Sequence, residues 1–122
     1  MKSTRSRGDR FETEACAYLA GKGYKILDRN VYLMRKELDI VAMEGDTIVF
    51  VEVKGRASGS YGSPVEAVGA LKRRRLVMAA TAYLKKRRLL ERRSRFDVVG
   101  IRLGPDGRSH FDHIKNAFEA GG

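Results

Sequence analysis

The sequence predicts an α/β fold in which helices flank a mixed sheet, with elements in the order α-β-β-β-α-β. Two observations predict it: two segments place apolar residues at helical spacing, and four others have the apolar character of strands. Three successive strands favour antiparallel pairing, whereas a helix before the fourth strand favours a crossover connection. The 122 residues, 43% of them hydrophobic, suit a single domain over residues 1–122.

The first helix is predicted over residues 8–22, where Ala15 and Leu19 share one face and Gly21 and Gly23 end the helix. The later elements are predicted as strands at 24–33, 37–43 and 48–54, a glycine-rich loop at 55–63, a helix at 64–88, a strand at 96–103 and a short edge strand at 110–114. Residues 1–7 and 119–122 are expected to be poorly ordered termini.

The charge balance favours a polyanionic partner. Twenty-five Lys and Arg face fifteen Asp and Glu, a formal net charge of +10 at pH 7. This balance favours nucleic acid, and the alternatives are that the charge only keeps the protein soluble or that it binds an anionic membrane surface. No apolar run is long enough to span a bilayer or act as a secretory signal, and Cys16 is the only cysteine. We therefore expect a cytoplasmic protein without a membrane partner.

Two basic runs flank an apolar stretch of the predicted second helix. Such runs are typical of phosphate contacts, although a solvated face is the alternative. The residues predicted to bind nucleic acid are Arg56, Lys72, Arg73, Arg74, Lys85 and Lys86. Between the runs, residues 76–84 are apolar nearly all round, so we expect cover on more than one side. A second protomer in a homodimer could supply it, as could the sheet and first helix.

The turn between the second and third strands places the acidic groups. Gly45-Asp46 predicts a two-residue β-hairpin loop, because glycine at the first central position suits a type II′ turn. The turn fixes the register, and the predicted facing pairs are Met43–Ile48, Asp39–Glu52 and Glu37–Lys54. The four charged side chains therefore meet on one face, near one end of the hairpin.

Two facing carboxylates indicate a divalent cation. Directly opposite side chains have Cβ atoms about 4.5–5.5 Å apart, where like charges repel, and Mg²⁺ between Asp39 and Glu52 would relieve that repulsion. Lys54, on the same face, could stabilise a developing negative charge. The alternative is an ordinary salt-bridge ladder in which Glu37 pairs with Lys54. Residues 48–51 are apolar on both faces, which indicates a covered strand where unused charge is costly.

Asp39, followed by Glu52-Val53-Lys54 at the end of the next strand, resembles the PD-(D/E)xK signature of restriction-endonuclease-like nucleases. The wider pattern is similar to the bacterial family UPF0102, or YraN-like proteins, which resemble archaeal Holliday junction resolvases in layout. It runs through Gly8-x-x-x-Glu12-x-x-Ala15, Gly23-Tyr24, Arg29-Asn30, Glu37-Leu38-Asp39-Ile40, Phe50-Val51-Glu52-Val53-Lys54, Arg95-Phe96-Asp97-Val98-Val99 and His113-Ile114-Lys115-Asn116-Ala117-Phe118. The sequence departs from the expected pattern at Leu38, where the motif has proline, and at Lys36, where we expect glycine.

The resemblance implies a restriction-endonuclease-like, three-layer α/β/α fold with a central mixed sheet. The residues that it implies as catalytic are Glu12, Asp39, Glu52 and Lys54, with Glu37 in support. Asp39, Glu52 and the backbone carbonyl of Val53 would bind Mg²⁺ or Mn²⁺. Lys54 would position the attacking water, and Glu12 would complete the acidic cluster.

The sequence thus favours a metal-dependent endonuclease that acts on DNA, with branched or junction DNA as one candidate substrate class. One rival is a non-catalytic nucleic-acid-binding module on the same fold, which is favoured if no metal binds. Another is an accessory protein that acts through a protein partner, which predicts negligible affinity for nucleic acid at physiological salt.

Overall fold

A computed structural model describes residues 6–56 and 69–118. The elements are α1 (Ser6–Gly21), β1 (Lys25–Leu33), β2 (Lys36–Glu44), β3 (Thr47–Arg56), α2 (Ala70–Lys86), β4 (Ser94–Leu103) and β5 (Ser109–Phe118). The predicted order of elements is confirmed, and the short edge strand expected at its end is a full strand of ten residues.

The five strands form one mixed sheet in the order β1-β2-β3-β4-β5. Only β3 and β4 run parallel within it, and the other neighbours are antiparallel. Each helix packs against a separate apolar cluster of the sheet. The α1 cluster contains Ala15, Leu19, Ile40, Val49, Val51 and Val99, and the α2 cluster contains Leu76, Ala80, Tyr83, Phe50, Phe96 and Val98. The architecture is therefore a sheet with one helix on each face.

The central strand β3 explains the apolar run that the sequence shows at residues 48–51. Ile48 and Phe50 pack into the α2 cluster, whereas Val49 and Val51 pack into the α1 cluster. Because side chains alternate along a strand, Glu52 and Lys54 come next on the α2 side. The prediction of a central strand covered on both faces is confirmed. Glu52 and Lys54 lie on this strand beyond its apolar run, near one end of the sheet.

Several boundaries differ from those predicted. β3 continues through Gly55 and Arg56, which the sequence assigned to a loop, because these residues pair with β4. A Cβ at Gly55 would stand 2.1 Å from the Phe11 ring, so only glycine fits beneath α1 there. Residues 57–63 of the predicted loop, and the predicted helix start at Pro64, lie outside the described residues.

The end of α2 is also earlier than predicted. The helix ends at Lys86 rather than at Arg88, because Arg88 has a φ of 59°, the left-handed conformation common just after a helix. At the other terminus of the chain, Ser6 and Arg7 already belong to α1, so only residues 1–5 and 119–122 of the expected poorly ordered termini lie outside the described residues.

Less of the α2 surface is buried by the rest of the fold than the sequence predicts. One side of the helix packs on the sheet, but Met78 on another side is 52% exposed. The first helix cannot cover it, because α1 lies on the opposite face of the sheet. A covering homodimer partner stays a prediction. No helix among the described residues is long and apolar enough to cross a membrane.

The β1–β2 connection is a two-residue hairpin turn that the sequence does not signal. Leu33 pairs with Lys36, and both intervening residues have positive φ, 52° at Met34 and 61° at Arg35. Two successive positive φ angles define a type I′ turn, which Asn and Gly ordinarily fill. Met34 and Arg35 form it without either residue, and Lys36 follows directly at the start of β2.

Candidate active site

The β2–β3 hairpin has the predicted register at Met43–Ile48, but the ladder does not include the predicted pairs Asp39–Glu52 and Glu37–Lys54. Met43 pairs with Ile48 across a two-residue turn in which Gly45 has a φ of 61°. The paired residues of the ladder run as far as Ile40–Val51. At the next position the Val53 backbone N–H donates a 2.9 Å hydrogen bond to Asp39 Oδ2. A carboxylate therefore serves as the acceptor where the regular ladder ends.

Glu52 lies at the centre of the candidate site. Its side chain is buried, with the residue only 5% exposed. One oxygen, Oε2, faces three ammonium groups, at 3.0 Å from Lys72, 3.6 Å from Lys54 and 3.8 Å from Lys36. These lysines come from three elements, α2, β3 and the start of β2. The site is therefore assembled by the tertiary fold and not by one hairpin alone.

Lys72 occupies a position that the sequence did not suggest. The basic run of the second helix predicted it to contact phosphate, whereas the structure directs its ammonium group to Glu52. Burial lowers the pKa of Lys54, and the neighbouring Lys72 ammonium lowers it further. Lys54 and Lys72 thus share the Glu52 carboxylate with Lys36, and Lys54 is held in a partly buried position beside the acidic pair.

Asp39 has the clearest electrostatic perturbation of the site. Burial and the negative charge of Glu52 raise the pKa of Asp39 to about 7, although the hydrogen bond from Val53 opposes the shift. Glu12 adds a smaller contribution in the same direction. The predicted repulsion between Asp39 and Glu52 is therefore present, even though the two residues are not partners in the ladder.

Glu12 and Glu37, the other two members of the predicted acidic cluster, have partners outside the Asp39–Glu52 pair. Glu12 on α1 is buried, with Oε1 3.9 Å from Arg29 Nη2. Glu37 pairs with Tyr32 across the β1–β2 hairpin. Within residues 6–56 and 69–118, no three Asp, Glu, His or Cys side chains stand close enough together to hold a metal ion. Direct ligation by Glu12 stays a prediction.

The inner pair nevertheless fits a divalent cation. The second oxygen of Glu52, Oε1, is buried and has no hydrogen-bond partner in the described part of the chain. A buried carboxylate oxygen left unbonded is costly, and hard oxygen ligands of this kind are those that Mg²⁺ prefers. Asp39, Glu52 and the adjacent Val53 carbonyl are the groups that could hold it.

The predicted nucleic-acid-binding residues divide into two groups. Arg74, Lys85 and Lys86 are exposed on α2, as a phosphate-binding role requires. Arg73 is half-buried, with its guanidinium group 5.4 Å from the centre of the Phe118 ring. Lys72 belongs to the acidic site, and the side chain of Arg56 lies outside the described residues.

Another buried carboxylate, that of Asp97, has a different environment. It is fully buried and lies 2.8 Å from both Arg95 Nε and His113 Nε2. It also accepts a 3.0 Å hydrogen bond from the Asn116 backbone N–H, beside the register shift between β4 and β5. Sequence reasoning included Asp97 only in a family pattern. Because its oxygens are fully bonded, it serves to join the two strands.

The profile of a family described as "Uncharacterised protein family UPF0102" matches residues 11–101. The chain belongs to family UPF0102. A UPF0102 protein of Marinobacter nauticus is 40% identical over 119 residues, covering 98% of this chain and 97% of the relative. UPF0102 proteins of Anaeromyxobacter dehalogenans and Syntrophus aciditrophicus are 46% and 47% identical, covering 91% and 88% of this chain and 82% and 84% of those relatives. The matched UPF0102 region contains Glu12, Asp39, Glu52, Lys54 and Lys72.

The raised pKa of Asp39 predicts a pH-dependent effect of Asp39→Asn on the metal-free protein. The folded state keeps a proton on Asp39 up to about pH 7, whereas the unfolded chain loses it near pH 4. The stability contribution of this carboxyl is therefore present below about pH 4 and is lost as pH rises to about 7. Asp39→Asn should raise the melting temperature at about pH 8 and change it little at about pH 4.

The measurement is thermal denaturation with EDTA at both pH values. The asparagine amide oxygen can still accept the hydrogen bond from Val53, so the end of the ladder is preserved. Asp112→Asn, an exposed position on β5, is the matched control and should show no such pH dependence. A lower melting temperature for Asp39→Asn at the higher pH would contradict the expectation.

Proposed function

We propose that the protein is a metal-dependent endonuclease that hydrolyses phosphodiester bonds of DNA on a restriction-endonuclease-like fold. One observation carries the proposal: burial and the negative charge of Glu52 raise the pKa of the neighbouring Asp39 carboxyl, and one Glu52 oxygen lacks a hydrogen-bond partner among the described residues. Lys54 lies beside them with its ammonium group 3.6 Å from Glu52. This donor set suits a cation and a phosphate together.

Each residue of the site has a role under this proposal. Asp39, Glu52 and the Val53 carbonyl would hold Mg²⁺ or Mn²⁺. The bound cation would supply Lewis-acid activation and a water nucleophile at neutral pH. Lys54 would bind the nonbridging phosphate oxygen that gains negative charge, in a site where burial strengthens the interaction. The Lys72 ammonium would turn from Glu52 towards phosphate when the cation takes its place.

The choice of DNA as substrate rests on charge and on family resemblance. The net charge of +10 and the exposed cations of α2 favour a polyanion. The resemblance to Holliday junction resolvases in layout favours branched or junction DNA within that class.

Cleavage of a panel of labelled junctions, flaps, duplexes and single strands, with Mg²⁺ or Mn²⁺, tests the proposal. Asp39→Asn and Glu52→Gln should each abolish cleavage and weaken divalent-ion binding measured by calorimetry. Asp112→Asn and Glu91→Gln are matched controls, because these carboxylates are exposed and lie outside the site. A wild-type protein that binds a divalent ion but cleaves no member of the panel would contradict the proposal.

One observation favours a second candidate, a non-catalytic nucleic-acid-binding module. Three ammonium groups already surround Glu52 Oε2, so the charge of this carboxylate is compensated without a cation. That arrangement would leave the protein with DNA affinity but no divalent-ion binding. Calorimetry with Mn²⁺ separates the two candidates, since only the nuclease requires a bound ion.

The exposed cations of α2 predict the salt dependence of binding. Neutralising Arg74, Lys85 and Lys86 together should weaken binding to duplexes of every sequence. Each lost phosphate contact should lower the slope of log K against log salt by about 0.9. Lys25→Gln, an exposed cation on β1, is a control expected to leave the slope unchanged. A triple variant with the wild-type slope would assign these residues to a solvated face.

A further inference from the structure

The tip of the β1–β2 hairpin exposes two large apolar side chains. Tyr32 is 69% exposed and Met34 is 56% exposed, the highest values among the large hydrophobic residues that the structure describes. The neighbouring residues Val31 and Leu33 pack against the α2 cluster, so Tyr32 between them faces the other side of the hairpin. The tip therefore presents apolar surface that the described part of the fold does not cover.

The backbone of the tip is also unfavourable for its sequence. Met34 and Arg35 both have positive φ, a backbone conformation that residues other than Gly and Asn rarely adopt. An exposed methionine in a strained turn gains nothing from core packing. The tip thus combines a rare backbone conformation with exposed apolar side chains. This combination indicates that the side chains contact a binding partner.

The tip is connected directly to a residue of the candidate active site. Lys36 follows the turn directly, and its ammonium group is 3.8 Å from Glu52 Oε2. Met34 precedes Lys36 by two residues, so its Cα is within about 7 Å of the Lys36 Cα. The turn is therefore joined directly to one of the three lysines that face Glu52.

We propose that Tyr32 and Met34 form a wedge that stacks against unpaired bases where the two strands of a DNA substrate separate. The proposal rests on the nuclease function above and names its substrate class. Inside a regular duplex the faces of the bases are covered by stacking, so they become available to apolar side chains only at a branch, a flap or a frayed end. The wedge selects such sites and places the adjoining phosphate at Asp39 and Glu52.

Charge favours nucleic acid over an apolar protein partner at this surface. Arg35 is exposed at the tip, and Lys36 follows it on the side of the acidic pair. Arg29, also exposed, lies on the same strand as Tyr32. Aromatic and apolar side chains interleaved with cations are the usual platform for single-stranded bases, in which the cations bind the backbone and the apolar groups stack.

Two variants remove the wedge without removing the turn. Met34→Asn replaces methionine by a residue that favours positive φ, so the hairpin should be retained or stabilised. Tyr32→Thr keeps strand propensity while removing the ring. Met78→Gln is the matched control, because Met78 is similarly exposed, at 52%, but belongs to α2 and not to the hairpin.

The measurement is a binding titration in Ca²⁺ with a four-way junction, a flap and a linear duplex of equal length. Wild type should prefer the branched substrates, and Tyr32→Thr should lower that preference by about tenfold, a typical effect of losing one base–aromatic contact. Met34→Asn should lower the same preference, because it removes the apolar contact beside the ring. Affinity for the linear duplex should be unchanged. A 2-aminopurine base at the branch point should report stacking with wild type and less stacking with Met34→Asn.

The proposal is overturned if wild type shows no preference for branched DNA, or if Met78→Gln lowers the preference as much as the wedge variants do. Its failure is distinguishable from failure of the nuclease proposal, because the titration requires no cleavage. Wedge-dependent binding without cleavage in Mg²⁺ would retain the wedge and reject the nuclease. If the wild type cleaves DNA but the wedge variants keep its preference for branched substrates, the nuclease is retained and the wedge is rejected.

Discussion

Lys54→Met is expected to lower single-turnover DNA cleavage by about 10²–10³-fold, the usual effect of removing a preorganised donor to a developing charge. Affinity for DNA and for divalent ions should stay close to wild type. The Lys54 ammonium lies beside Glu52 in a partly buried position, where its charge matters most as phosphate oxygen becomes more negative. Methionine keeps the unbranched shape of the side chain and removes only the charge.

Two further variants make this expectation specific. Lys54→Arg should not restore full activity, because the planar guanidinium group differs in size and geometry from an ammonium group. Lys25→Met is the control, since Lys25 is an exposed cation on β1 outside the site, and it should cleave like wild type. If Lys54→Met cleaves at a rate near that of wild type, Lys54 is only a salt-bridge partner at the end of β3.

Asp97→Asn is expected to destabilise the fold by about 3–5 kcal/mol, the usual cost of breaking a buried charge pair. Asparagine fills the same space but removes the buried one of the two carboxylates that pair with Arg95, the other being Glu44, and weakens the contact with His113. Although burial opposes the shift, hydrogen bonds from His113 and Arg95 keep the pKa of Asp97 below its usual value. The stability that Asp97 contributes is therefore present at neutral pH and is lost as the pH falls through this lowered pKa.

Urea denaturation at neutral and acid pH measures the effect. The midpoint should fall at neutral pH with an unchanged m-value, and the difference from wild type should shrink in acid. Asp112→Asn on the exposed face of β5 is the control and should unfold like wild type. An Asp97→Asn variant as stable as wild type at neutral pH would show that the charge of Asp97 is not needed to join β4 to β5.

The elements and the β2–β3 hairpin could be predicted because their signals are local. Gly45 at a two-residue turn fixed the pairing of Met43 with Ile48, and the apolar run of β3 identified the central strand. The length of β5 could not be predicted, because its alternation of polar and apolar residues is weak and its pairing with β4 supplies the order. The type I′ turn at Met34 and Arg35 lacks the Asn or Gly that would have indicated it.

The acidic pair could be predicted, but its surroundings could not. Strand alternation and turn length are enough to bring Asp39 near Glu52. The approach of Lys72 depends on where α2 packs relative to β3, which no local pattern encodes. The hydrogen bond between Asp39 and the Val53 backbone likewise interrupts the ladder at a point where an ideal hairpin would continue.

The single parallel pairing in the sheet has a consequence for how the chain folds. Neighbouring strands elsewhere are joined by short connections and can pair soon after collapse, whereas β3 meets β4 only when Ile48 finds Ser94 across a segment that includes α2. Contacts between residues distant in sequence form slowly, because the entropy cost of closing the intervening loop comes before the contacts can stabilise the chain. The β1–β2–β3 meander and the β4–β5 hairpin are therefore expected to form early, and the docking of α2 with the parallel seam to limit the folding rate.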